Sequence, residues 1–263
     1  MDRKYAFAAL PLLAAVLAAP CISNAADAPD KPVLVHMQAA LDIDRDGRVA
    51  AVELIDGEKL PDVIRQQAQQ RALALKFQPP VKAGQPVGGR TYAHVQACIA
   101  PKADGLDVSF AFTGNGPAST YHPPRKPQSP ALPIAKLMGQ GIDGMKGKVV
   151  YVVSVDGKAT LERATLDDPE LQAQYGELWL KDQRAFFKRF RYRPELIDGV
   201  PTPTRVEDEI ENRWVRYHTS KEAEANRQAE RQARAESSDA CRALRSDDGR
   251  QLASDSPFKR IDG

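Results

Sequence analysis

Four acidic residues and one glycine are spaced as if to hold a cation. Asp42, Asp44, Asp46, Gly47 and Glu53 match the calcium loop of an EF-hand at the ligand offsets, with Val49 at the apolar position and Leu54 after the Glu. Carboxylates at those offsets converge on one ion when Gly47 lets the loop fold back. Three features of the sequence point elsewhere. The residues before the loop alternate as a strand, where a hand needs an entering helix. The chain has no second loop to pair with it. A related turn at Asp156-Gly157 carries Val152, Ser154 and Arg163 where the other ligands would stand. The turn therefore has a structural explanation, calcium binding is the alternative, and no residue is assigned as a metal ligand.

Other chemistry is sparse. His36, His94, His122 and His218 are scattered, and the chain has no His-Glu-x-x-His, Gly-x-Ser-x-Gly, Cys-x-x-Cys or phosphate-cradling loop. The chain reads as a non-enzyme without a cofactor. Net charge is +2 over 263 residues, which gives no general pull toward nucleic acid or anionic lipid.

The first 25 residues read as an export signal. Arg3 and Lys4 open it, Ala6 to Ala19 is uncharged and mostly apolar, and Ser23-Asn24-Ala25 offers small residues for cleavage after Ala25 or Ala26. An uncleaved membrane anchor is the alternative, but the run is shorter than the roughly 20 residues a spanning helix needs and it contains Pro11. Export implies a periplasmic location. The mature chain then keeps Cys98 and Cys241, and either a disulfide between them or a buried strand cysteine and a surface thiol fits the sequence.

These residues must be positioned by elements that occur in two similar sets. Phe77-x-Pro79 is followed after four residues by Gly84-x-Pro86, and Tyr192-x-Pro194 after four residues by Gly199-x-Pro201. Upstream of each stands an alternating apolar run broken by an Asp-Gly. A shared order of landmarks is what a duplicated unit leaves behind. In the first unit, residues 32–113, Val33 to Ile43 alternates as a strand and Arg48 to Ile55 returns beside it. Ile64, Ala68, Ala72 and Leu75 form a helical stripe from Pro61, the first helical residue, to a stop at Pro79-Pro80. Thr91 to Ile99 is the next strand, and Leu106 to Phe112 is its hairpin partner.

Residues 114–145 form a Pro-rich linker with one helical turn at Ile134 to Met138. The second unit, residues 146–217, repeats the pattern. Val149 to Val155 and Lys158 to Leu166 pair across Asp156-Gly157, a helix capped by Asp168-Pro169 follows, and Thr204 to Arg216 closes the sheet. Trp179, Phe186, Phe187 and Phe190 sit at helical spacing as core. The basic cluster of Arg184, Lys188, Arg189, Arg191 and Arg193 suits a helix C-terminus. Residues 218–263, rich in Glu, Arg, Gln and Ala without an apolar stripe, read as a polar helix followed by a disordered end. The fold class is α+β, with two strand-strand-helix-strand units and antiparallel sheets.

Gly147-Lys148-Val149, the Asp156-Gly157 hairpin and Arg189-Phe190-Arg191-Tyr192-Arg193-Pro194 resemble the C-terminal domain of TonB-type energy transducers. Pro124-Arg125-Lys126-Pro127 is similar to the motif before that family's first strand, with Lys126 in place of a Tyr. The first unit shows a weaker version of the same pattern. The resemblance implies a strand-strand-helix-strand fold that binds protein or peptide, such as outer-membrane receptor segments, by strand addition at a sheet edge. It places that edge on Thr204 to Arg216, with Thr204, Val206, Ile210 and Trp214 as partner-binding residues. Phe77, Pro79, Gly84, Pro86, Tyr192, Pro194, Gly199 and Pro201 are structural. A transducer also needs a membrane anchor, so a membrane-held energy transducer is the alternative if the leader stays on.

Overall fold

The computed structural model describes residues 32–102, 105–121, 132–214, 225, 229 and 253–261. The leader, Cys21, Cys241, His122, His218, the Pro124–Pro127 motif and most of the polar tail lie outside the described residues. The fold is α+β with antiparallel sheets.

β1 (Val33–Ile43) turns at Asp46-Gly47 into β2 (Val49–Ile55). A short 3-10 turn at Gly57–Lys59 leads to α1 (Asp62–Leu73). Pro61 is the residue before this helix rather than its first member. Three two-residue strands follow: β3 (Phe77–Gln78), β4 (Val81–Lys82) and β5 (Gln85–Pro86). β6 (Gly89–Lys102) then pairs with β1 along its whole length, from Val33↔Ile99 to Ile43↔Gly89. The alternation in β1 puts Met37, Ala39, Leu41 and Ile43 on the α1 side, in one core with Ala68, Ala72, Phe77, Ala93 and Val95. Burying that face against the helix is what makes a period of two fold as a strand here.

β7 (Gly105–Gly116) lies against β6, and β8 (Ala118–Tyr121) follows. β7 runs four residues past the expected end at Phe112, so the start of the expected linker is sheet. α2 (Ile134–Gly139) supplies the one turn of helix read from the sequence.

The second sheet starts with β9 (Gly144–Val153) and β10 (Ala159–Leu166), joined at Asp156-Gly157. α3 (Pro169–Phe187) begins as its sequence dictates. Asp168 accepts hydrogen bonds from the Glu170 and Leu171 amides at 2.8 and 3.0 Å, and Pro169 holds the first position. Trp179 and Phe187 pack with Val149, Tyr151, Val153 and Val206 into the second core, and Trp179 is fully buried. Phe190 is buried too and stacks on Phe187.

Three short strands follow α3: β11 (Arg191–Arg193), β12 (Glu195–Ile197) and β13 (Val200–Thr202). β14 (Thr204–Arg213) then pairs with β9. Two of these strands leave the expected second unit, one for the first unit and one for the expected linker. β12 pairs with β6, through Leu196↔Arg90 and Ile197↔Gly89, and β11 pairs with β8. The chain ends its described course in β15 (Ala253–Ser254) and β16 (Lys259–Arg260), which pair with β14 and β3. Residues 253–261, expected within a polar or disordered tail, are therefore an ordered strap across both sheets. Phe258, fully buried in the first core, gives the strap an apolar anchor that an absent helical stripe does not reveal.

Candidate functional site

In each half the Asp-Gly turn docks on the aromatic-x-Pro motif. Gly47 has φ +79°, and a Cβ there would lie 1.8 Å from the Phe77 carbonyl oxygen. Gly157 has φ +75°, with the Tyr192 carbonyl oxygen at 2.2 Å from the same position. The contact closes with a hydrogen bond in each half: the Phe77 amide donates to Gly47 O at 2.8 Å, and the Tyr192 amide to Gly157 O at 2.9 Å. Downstream, Ala83-Gly84 and Asp198-Gly199 are both at positive φ, as a two-residue type I′ hairpin requires. The prolines sit around these hairpins, where a missing N–H breaks no long ladder.

This docking also accounts for the acidic loop. Asp44 Oδ1 accepts from the Asp46 and Arg48 amides, each at 2.9 Å, so its carboxylate braces the turn. Asp42 forms a bidentate pair with Arg90, at 2.6 and 2.8 Å. Glu53 lies within β2, opposite Ala40. Among the described residues no group of three or more His, Cys, Asp or Glu is placed to hold a metal ion.

Position in the sheet makes β14 distinctive. One side is paired with β9 from Thr204↔Val153 to Arg213↔Gly144. The other side meets β15 through Val206↔Ser254 and Glu207↔Ala253. The side chains expected to bind a partner turn inward. Thr204 and Val206 are 1% exposed, and Ile210 and Trp214 pack partly buried on the second core. These four side chains thus face the body of the protein, and the polar signal lies elsewhere.

That signal is a buried polar seam where the two sheets and the strap meet. Glu195, fully buried, accepts from the Thr91 hydroxyl, from Thr204 Oγ1 at 2.6 Å and from Ser256 Oγ at 2.6 Å. Asn115 Nδ2 lies within hydrogen-bonding distance of Thr91 Oγ1 (3.2 Å), Ser256 Oγ (2.8 Å) and the Phe258 carbonyl (2.9 Å). Ser254 Oγ donates to the Asn115 carbonyl at 2.5 Å. Burial pushes the Glu195 carboxyl up, against the pull of its three hydroxyl donors. The seam thus gathers residues from β6, β7, β12, β14 and the strap around one desolvated carboxyl.

A cleft of about 560 Å³ opens between the polar face of the first sheet and the second sheet. Gln38, His94 and Gln96 line one side, and Phe190, Tyr192 and Asp208 the other. His94 is half-buried, but its Nε2 is shielded and has no hydrogen-bond partner. Desolvation lowers its pKa to about 4, only partly opposed by a hydrogen bond to the Pro117 backbone. Since Nε2 is unpaired, that bond uses Nδ1, and the ring is neutral at pH 7. Cys98 is disulfide-bonded, and the other cysteines lie outside the described residues.

No family model, no curated protein and no solved structure matches the chain.

Of the basic cluster at the end of α3, Arg191 makes two main-chain contacts. Arg191 Nη1 donates to the Phe190 and Lys188 carbonyls at 2.7 and 3.2 Å, just beyond the end of α3. Glu195, Asn115, Ser256 and Phe258 are not singled out by the sequence. Only Phe258 carries a visible signal, as the lone aromatic in a polar tail.

Proposed function

We propose that the chain is an exported, periplasmic, non-enzymatic protein of two TonB C-terminal-like units, each strand-strand-helix-strand. It binds a protein or peptide segment by adding a strand to the outer edge of β14. The observation that carries this reading is the strap: β14 already takes a short antiparallel strand, Ala253–Ser254, on that side. Main-chain hydrogen bonds supply affinity in such an arrangement without demanding a side-chain pocket at every position. The two halves support the duplicated-unit part through their shared order. β2-β1-β6 and β10-β9-β14 place the first strand in the middle, and each helix packs on its own hairpin.

A photoreactive side chain at Arg205, exposed on β14, tests the binding mode. In periplasmic extract it should capture a partner that the same group at Thr160, exposed on β10, does not. Equal labelling from both positions overturns the edge assignment. Mass spectrometry of the N-terminus separates the exported protein from the membrane-held transducer, because an intact Met1 in the membrane fraction favours the transducer.

A further inference from the structure

The strap is held by a short ladder at each end and by buried side chains in the middle. Its ladders are two residue pairs each, Val206↔Ser254 with Glu207↔Ala253, and Gln78↔Lys259 with Phe77↔Arg260. Two further main-chain bonds hold it: Asp255 N–H donates to Arg205 O at 2.8 Å, and Ile261 N–H to Lys76 O at 2.9 Å. Between them Ser256 Oγ reaches Glu195, and the Phe258 ring enters a socket floored by Gly89. A Cβ on Gly89 would come within 2.8 Å of Phe258 Cζ, so the glycine leaves room for the ring.

Part of the seam's polar network survives without the strap. If Ser256 leaves, Glu195 keeps the Thr91 and Thr204 hydroxyls, and Asn115 keeps Thr91. Removing one partner from a buried group that retains others costs far less than orphaning it. Opening also returns water to the Glu195 carboxyl, which burial penalises in the closed seam. The strap's ladders lie at the outer side of β14 and on the two-residue strand β3.

We propose that the β14 edge and the Phe258 socket form a docking site for an extended protein segment, which the chain's own tail occupies in its absence. The matching segment has two small residues for the β14 ladder, an acid beside Arg205, a serine for Glu195 and an aromatic two positions after the serine. This rests on the sheet-edge reading above and names the partner's chemistry. A tethered tail competes at high effective concentration, so a free segment gains access only when the tail is weakened or outmatched.

Two measurements on the full chain test it. By hydrogen exchange, the Asp255 and Ile261 amides should exchange at least 100-fold faster than β14 amides bonded to β9, through an opening less sensitive to denaturant than global unfolding. Exchange of the strap only with global unfolding overturns the proposal. In the second measurement a fluorescent peptide, Gln-Leu-Ala-Ser-Asp-Ser-Pro-Phe-Lys-Arg-Ile-Asp-Gly, is titrated into the wild type and Phe258→Ala. It should bind the variant at least tenfold more tightly, and a peptide with Ala for its Phe should lose that gain. Equal binding to both chains, or no binding despite fast strap exchange, overturns the docking site. If Phe258→Ala does not fold, Ser256→Ala takes its place with the same expected direction. Photo-crosslinking to an unrelated segment while the peptide fails would sink this proposal and leave the edge reading standing.

Discussion

β6 and β14 hold the same place in their sheets, yet one is interior and the other is nearly an edge. β6 has β1 on one side, and β7 with β12 on the other. β14 has β9 on one side and only the two-residue β15 on the other among the described residues. The difference begins in the segment that succeeds each strand. After β6 comes a turn at Gly105 and the long strand β7. After β14 comes a stretch dense in Glu, Arg and Gln with no alternating apolar run of the kind that marks β7. A sheet edge can template foreign strands, and a short strap with a buried anchor occupies part of this one. The first half is closed by the long ladder of β7 and the second, among the described residues, by the two-residue ladder of β15.

If the two halves share one docking device, the same lesion should injure both. Gly47→Ala and Gly157→Ala each drive a Cβ into a carbonyl oxygen at a positive φ, and each should lower unfolding free energy by on the order of 4 kcal/mol in urea titrations. Gly84 and Gly199 share the positive φ, but a Cβ there meets nothing within 4 Å. Alanine at those positions should cost only about 1 kcal/mol. Equal losses at all four glycines would show that backbone conformation alone, and not docking on the aromatic motif, sets the cost.

The interface between the halves should respond to pH with two opposed terms. His94 has a folded pKa of about 4 against 6.5 in the unfolded chain. The unfolded state therefore takes up the proton first on acidification. Stability is fully present above 6.5 and falls toward pH 4, by up to about 3 kcal/mol. Glu195 runs the other way. Its folded pKa lies above the ordinary 4.5, so its contribution is complete below the unfolded value and fades as pH rises through the folded one. Urea midpoints should fall for the wild type between pH 7 and 4.5, fall less for His94→Gln, and fall more for Glu195→Gln. The same slope in all three proteins would remove both groups from the account.

The two hairpins after the aromatic motifs differ at one position. Ala83 has φ 51° where the second half has Asp198 at 52°. Asn tolerates that conformation better than Ala, so Ala83→Asn should raise stability by about 1 kcal/mol. Asp198→Ala, which also loses the Lys82 contact at 2.9 Å, should lower it. A destabilised Ala83→Asn would mean that the two turns are not interchangeable.

Elements with a strong period are legible in the sequence, and contacts between distant segments are not. Val33 to Ile43, the Ile64-Ala68-Ala72 stripe and the Asp168-Pro169 cap each state their local structure, because one face or one amide pair decides it. The exchange of β11 and β12 into the neighbourhood of the first half leaves no such mark. Leu196 and Ile197 fit equally well beside their own sheet or beside Gly89 and Arg90. The seam is hidden for a related reason. Glu195, Asn115 and Ser256 are ordinary surface residues until three separate segments bury them together. The resemblance puts Thr204 and Val206 on a binding edge without saying which way their side chains face, and in the structure the body of the protein buries both.

The smallest contrast lies in the Asp-Gly turns themselves. Asp44 braces the first with two hydrogen bonds from backbone amides, whereas in the second Ser154 Oγ contacts the Lys158 carbonyl at 2.9 Å and the Asp156 carboxylate. Lys158 and Ser154 hold the Asp156 carboxyl well below the usual carboxylate range. Asp44→Ala removes acceptors from two amides in a partly exposed turn and should cost somewhat under about 1 kcal/mol, with Ser154→Ala costing roughly half as much. Measuring both with and without calcium separates the turn's two readings. A brace loses the same amount in either condition, because the amides are its only ligands. A cation loop instead shows a calcium-dependent gain in the wild type that Asp44→Ala abolishes, and that result would return Asp42, Asp46 and Glu53 to a metal site despite the Arg90 pair that now engages Asp42.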